Sequence, residues 1–144
     1  MNLISLYTAR ATATGGRSDG TVTTADGLIA ARIELPIELG GEVATASDAL
    51  NPEQLFASAW AVSIADAIGF VARQHNYVLR EISVTAAVSF GQYENNGFGI
   101  TAEFEINLPE LSEREAAEII SEARRGCPYT KAFRDADNLK MSVL

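Results

Sequence analysis

The stretch from Asn51 to His75, NPEQLFASAWAVSIADAIGFVARQH, limits most tightly what this chain can fold into. Asn51 is placed to cap a helix, Pro52 suits the first helical position, and Gln54 stands where a capping box wants Glu or Gln. Glu53 adds a negative charge in the first turn, where the helix dipole favours it. From Leu55 to Ala72 the polar groups are those of Ser58, Ser63 and Asp66, apart from the Trp60 indole. A surface helix carries one apolar stripe, whereas this one is apolar nearly all round, so burial is expected. About 24 residues at 1.5 Å each give roughly 36 Å, enough to cross a small domain. The run approaches the length of a membrane span, but Ser63 and Asp66 inside it and Arg73 at its end favour a soluble core helix.

The bulk numbers narrow the class. A chain of 144 residues is read as a single domain, 1–144, able to build its own core. A net charge of −8 without a basic patch argues against nucleic acid or an anionic membrane as partner. One cysteine and one histidine leave no internal disulfide and no zinc site, and no cofactor is called for. Met1 to Leu6 is too short and lacks the basic residues of a signal peptide. A cytoplasmic protein is expected.

Strands are expected over Leu3–Thr14, Thr21–Thr24 and Leu28–Leu35, broken by Gly-rich turns at 15–20 and 25–27, with Pro36 as a stop. Gly40–Leu50 is a polar loop leading into the helix. Glu81–Phe90 and Phe98–Leu108 both alternate with period 2 and form an antiparallel hairpin with one buried face, Phe98 included. Ser112 and Glu115 form a capping box for a second helix to about Arg125, stopped by Gly126. Cys127-Pro128 starts a further short turn through Phe133, and Asn138–Leu144 is a last strand. Hairpins in place of regular βα alternation make this an α+β pattern with a buried helix packed on sheets.

Few side chains carry chemistry. Cys127 at a helix start could have its thiolate stabilised by the dipole, or be a small buried hydrophobe. Arg17 sits in a glycine-flanked loop, and Glu53 reads first as a capping aid. His75 reads as a solvated helix terminus. Asp66 is costly in a buried helix unless paired, so it either meets an arginine or lines a polar pocket with Ser63, three residues before it. Ser63 and Asp66 alone make no hydrolase, because His75 lies roughly 18 Å along the same helix.

Together, Ala11-Thr-Ala-Thr-Gly-Gly-Arg17, Glu38-Leu-Gly-Gly41, Asn51-Pro-Glu-Gln-Leu-Phe-Ala57, Gly97-Phe-Gly99 and Cys127-Pro-Tyr129 resemble the organic hydroperoxide resistance proteins of the OsmC/Ohr family. The resemblance implies an α+β intertwined homodimer, with antiparallel sheets packed around long central helices. It implies cytoplasmic thiol peroxidases of the oxidative-stress response that reduce hydrophobic organic hydroperoxides and draw electrons from lipoylated proteins or dihydrolipoamide. Carried over by motif, Arg17, Glu53 and Cys127 match the site, Cys127 at the resolving position. The peroxidatic cysteine position falls on Ser63, and Trp60 and Asp66 are assigned to the surrounding pocket.

That departure bears on the chemistry. A thiol pKa of about 8.5 can be lowered into range by an arginine, but a serine hydroxyl cannot be brought so far. Ser63 forms no sulfenic acid, and Cys127 has no partner thiol, so activity is expected to be lost, or weak through Cys127. Ser63 is either a natural divergence or an engineered replacement in an active peroxidase; Val62, Ile64 and Asp66 around it favour the former. A non-catalytic binder of a fatty-acid-like or other hydrophobic ligand, with Arg17 pairing a carboxylate, is the alternative. Glu53 and Ser63, ten residues apart, are roughly 15 Å apart on one helix, so a site using both draws Glu53 from a second subunit.

Overall fold

The computed structural model describes residues 3–42 and 48–134, and the chain divides into two compact units, Met1–Leu55 and Phe56–Leu144. Each is taken in turn. In the first, β1 (Ala11–Gly15), β2 (Gly20–Thr24), β3 (Ala30–Ile33) and β4 (Ala49–Leu50) form one sheet in that order. The first three pair antiparallel, Thr12 opposite Thr23 and Val22 opposite Ala31, and β4 joins β3 in parallel. β1 begins well after the expected Leu3: among the described residues, 3–10 join no strand, although the Arg10 carbonyl still accepts from the Ala25 N–H at 2.9 Å. The Ala25-Asp26-Gly27 turn forms as expected, with Asp26 accepting from the Thr24 hydroxyl at 2.6 Å and the Leu28 N–H at 3.0 Å. Ile33 is the buried apolar side chain of this unit among the described residues, while Leu3, Leu6 and Leu28 are about as exposed as free side chains.

The long helix α1 (Pro52–Gln74) runs unbroken and starts as its sequence requires. The Gln54 N–H donates to Asn51 Oδ1, and the Asn51 N–H to Gln54 Oε1, both at 2.9 Å. This reciprocal box satisfies two of the free donors at the helix start.

In the second unit α1 supplies the core through one face. Trp60, Ile64, Ile68, Val71 and Ala72 are buried together with Leu108, Ile119, Ala123 and Cys127. The opposite stripe, Val62, Asp66 and Phe70, is exposed, so the expected all-round burial is not met within one chain. Spacing alone could not find this, because the exposed stripe is itself largely apolar.

β5 (Ser83–Gln92) and β6 (Phe98–Asn107) form the expected antiparallel hairpin, Val84 opposite Ile106 and Val88 opposite Ala102. The inward residues pack on the α1 core, and Thr85, Ala87, Glu103 and Glu105 face outward. Phe98 departs from the alternation: it is two-thirds exposed at the hairpin's far end and stacks on Phe90 at 5.3 Å.

α2 (Glu113–Gly126) carries the full Ser112/Glu115 capping box, and its inner face presents Ile119 and Ala123. Gly126 does not stop it in a left-handed conformation. It is the last helical residue, and Cys127, extended at φ −58° and ψ 123°, links directly to α3 (Pro128–Arg134). His75 at the end of α1 is not merely solvated, because its Nε2 lies 2.9 Å from the Glu122 carboxylate on α2. The strand expected over Asn138–Leu144 lies outside the described residues.

Candidate functional site

Arg17 and Glu53 meet in the first unit. β1 ends at Gly15 with φ +77°, a left-handed turn open to glycine at little cost, and Arg17 follows two residues on. Arg17 Nη1 donates to Glu53 Oε2 at 2.7 Å, a charge-assisted bond that is largely sheltered, the Glu53 side chain being 15% exposed. The Arg17 bond holds the Glu53 carboxyl below its usual range against the opposing effect of burial, and Glu53 raises the guanidinium in turn. Glu53 therefore does more than complement the helix dipole: it fixes the orientation of Arg17.

Ser63 and Cys127 meet in the second unit. Ser63 lies half-buried on α1, and its Oγ is 3.3 Å from Cys127 Sγ, which is fully buried. Cys127 occupies the residue before α3, so the N–H groups of Tyr129 and Thr130 are directed at its sulfur in the manner of a helix cap. Burial pushes the thiol up. Hydrogen bonds from Ser63, from the Thr130 backbone and hydroxyl and from the Tyr129 backbone outweigh it, and the thiol lies below the ordinary cysteine range. The sequence reading did not include Thr130. The signal was available, since Thr130 is the third helical position after a Cys127-Pro128 start, where an N–H turns back on the capping residue.

Trp60, four-fifths of a turn before Ser63 on α1, is buried against Phe104 at 5.1 Å and under Phe133 at 4.8 Å. Asp66 is exposed, and among the described residues neither a salt bridge nor a hydrogen bond engages it. Within one chain, then, the expected pairing with arginine or polar pocket with Ser63 does not form among the described residues. A solvated carboxylate avoids the cost of desolvation, so none has to be offset. No cluster of three or more potential metal ligands occurs among the described residues.

An α+β fold with a long helix, a capped thiol against that helix and a sheltered Arg–Glu pair defines a class of small thiol-bearing proteins built on a central helix. The family model for OsmC-like proteins matches residues 44–142. The chain is 40% identical over 130 residues to the organic hydroperoxide resistance protein of Xanthomonas axonopodis pv. citri, covering 90% of this chain and 88% of that protein. It resembles the crystal structure of an organic hydroperoxide resistance protein from Legionella pneumophila, with a TM-score of 0.81, 37% identity and 91% and 92% of the two chains covered. The OhrB structure of Bacillus subtilis gives a TM-score of 0.82 at 34% identity, covering 90% and 93%. The chain belongs to the OsmC/Ohr family.

Proposed function

We propose that this chain serves in the response to organic hydroperoxides but lacks the two-cysteine cycle, leaving at most slow chemistry at Cys127. The contact that carries this reading is Ser63 Oγ at 3.3 Å from Cys127 Sγ, in a chain with a single cysteine. A hydroxyl stands where a second sulfur would be needed. In the residual reaction the Cys127 thiolate attacks the terminal oxygen of the hydroperoxide. The O–O bond breaks, the alkoxide leaves and takes up a proton, and the sulfur is left as a sulfenic acid. A dithiol such as dihydrolipoamide, free or on a lipoylated protein, then returns the thiol, releasing water and becoming a disulfide. The hydrogen bonds that favour the thiolate support this step, and complete burial of the sulfur slows it.

The reading includes a homodimer in the cytoplasm. Leu3, Leu6 and Leu28 in the first unit and Val62 and Phe70 on α1 are apolar side chains left in water by one chain, a surface that a second copy would cover. In such a dimer the Arg17–Glu53 pair of one copy would join the Ser63–Cys127 pair of the other. Arg17 would hold the peroxide, with Glu53 orienting it. Purified protein mixed with cumene hydroperoxide and dihydrolipoamide tests the proposal. Slow or absent turnover, with gradual gain of one oxygen by Cys127 in mass spectra, is expected; rapid turnover by the unaltered chain refutes it.

A second reading, a carrier of hydrophobic or fatty-acid-like ligands on the same scaffold, is favoured by the apolar cavity beside Trp60. In the sequence reading Arg17 pairs the ligand head group, and its 2.7 Å bond to Glu53 competes for that cation.

A further inference from the structure

One face of α1 is left uncovered within the second unit. Val62, Asp66, Phe70 and Arg73 recur along it every three or four residues, the spacing of a single helical stripe, and all four are exposed. Val62 and Phe70 are 70% and 55% exposed, so the stripe offers apolar surface to a partner. Its two charges are opposite, and among the described residues neither Asp66 nor Arg73 enters an ion pair. They stand about 10.5 Å apart along the helix axis and do not meet within one chain.

Their order makes the stripe the complement of its own reverse. The midpoint between Asp66 and Arg73 falls between Gly69 and Phe70. Where two copies of the helix cross there antiparallel, about a two-fold axis, Asp66 of each copy faces Arg73 of the other and Phe70 faces Gly69. A parallel crossing in register would set Asp66 against Asp66, a repulsive contact. Gly69 suits the crossing point, because it carries no side chain to hold apart helix axes that pack about 8–10 Å from each other. The Arg73 guanidinium already lies there: a Cβ added at Gly69 would stand 3.4 Å from Arg73 Nη1. A second copy laid over the stripe would desolvate the Asp66 carboxylate, and a facing cation offsets that cost. We propose that this stripe docks on the same stripe of a second copy, antiparallel, through two reciprocal Asp66–Arg73 ion pairs. The inference rests on the homodimer reading and adds the contacts that set the orientation of the two copies.

Full-length chains carrying Asp66→Arg or Arg73→Asp provide the test. Sedimentation of the unaltered chain should show a dimer. Either variant alone sets like charges face to face twice, and its dimerisation should weaken about 100-fold or more. Mixed together, the two variants restore an attractive pair at both contacts. Co-expressed with different affinity tags, they should therefore give a heterodimer in excess over random pairing, read by native mass spectrometry. Co-expression also keeps the outcome readable where a variant is insoluble by itself. A single variant that dimerises as tightly as the unaltered chain overturns the proposal. So does a co-expressed pair without excess heterodimer. Either result beside a dimeric unaltered chain leaves the homodimer reading standing, whereas an unaltered chain that stays monomeric overturns both.

Discussion

Replacing Ser63 by cysteine tests the geometry on which the functional reading turns. The Ser63 hydroxyl oxygen lies 3.3 Å from the Cys127 sulfur. A disulfide needs about 2.05 Å between sulfurs, so the pair must close by roughly 1.3 Å, a movement that side-chain rotation can supply. The bond would span the 64 positions between the residues. For a closed loop of that length the chain-entropy relation gives roughly 4 kcal/mol of stabilisation, less any strain introduced. For a chain of this size that corresponds to a rise in Tm of about 10 °C. Ser63→Cys protein is treated with cumene hydroperoxide, its free thiols are counted with and without denaturant, and melting is followed with and without dithiothreitol. We expect two thiols before oxidation and none after, in a monomeric chain on denaturing gels, with the rise in Tm abolished by reductant. Two thiols that persist after oxidation, or that cross-link only between chains, would refute the placement of Ser63 against Cys127. Recovered peroxide turnover in the same variant would show that only the nucleophile is missing from the site.

Three further outcomes follow from the same structure. The Cys127 thiol is depressed, so its contribution to stability is present above the unfolded thiol value near about 8.5 and fades as pH falls through the folded value. In ultraviolet thiolate titration Ser63→Ala should move the midpoint upward, and no movement would remove Ser63 as a donor. Glu53 is depressed by Arg17, so the stability from that pair is present above about pH 4.3 and lost as pH falls through its folded value. Arg17→Ala should cost about 1 kcal/mol at neutral pH in urea unfolding, with the loss shrinking in acid. Ile68 is fully buried on α1, and Ile68→Ala should destabilise by about 2–5 kcal/mol; a smaller value would mean the core of the second unit closes over the gap.

Much of this molecule was legible in the chain because its signals are local. Asn51, Pro52 and Gln54 specify the start of α1 through hydrogen bonds that span three residues, as Ser112 and Glu115 do for α2. Period-2 alternation gave the β5–β6 hairpin for the same reason, since adjacent side chains must take opposite faces. The pattern misled where an apolar residue need not be covered by its own chain. Phe98 fits the apolar–polar pattern of the sequence but departs from it in burial, standing in water at the hairpin end, and β1 starts at Ala11 although Thr, Ile and Tyr occur earlier.

By itself, the sequence determined the long helix, the β5–β6 hairpin, the capped start of α2, the α+β class, the family and the absence of a second sulfur, all of which depend on residue identity and short spacing, but not the β4 strand at Ala49–Leu50, which it read as loop. Tertiary structure alone decided which face of an almost wholly apolar helix is buried within the chain, and therefore that Asp66 lies on its exposed stripe while Trp60 is enclosed. It also brought residues 63 and 127 into contact, and 17 and 53. Those pairings depend on long-range packing, and the energy that selects them is the burial of Ile64, Ile68 and Ile119 and the sheltering of a charged pair, which no local pattern encodes.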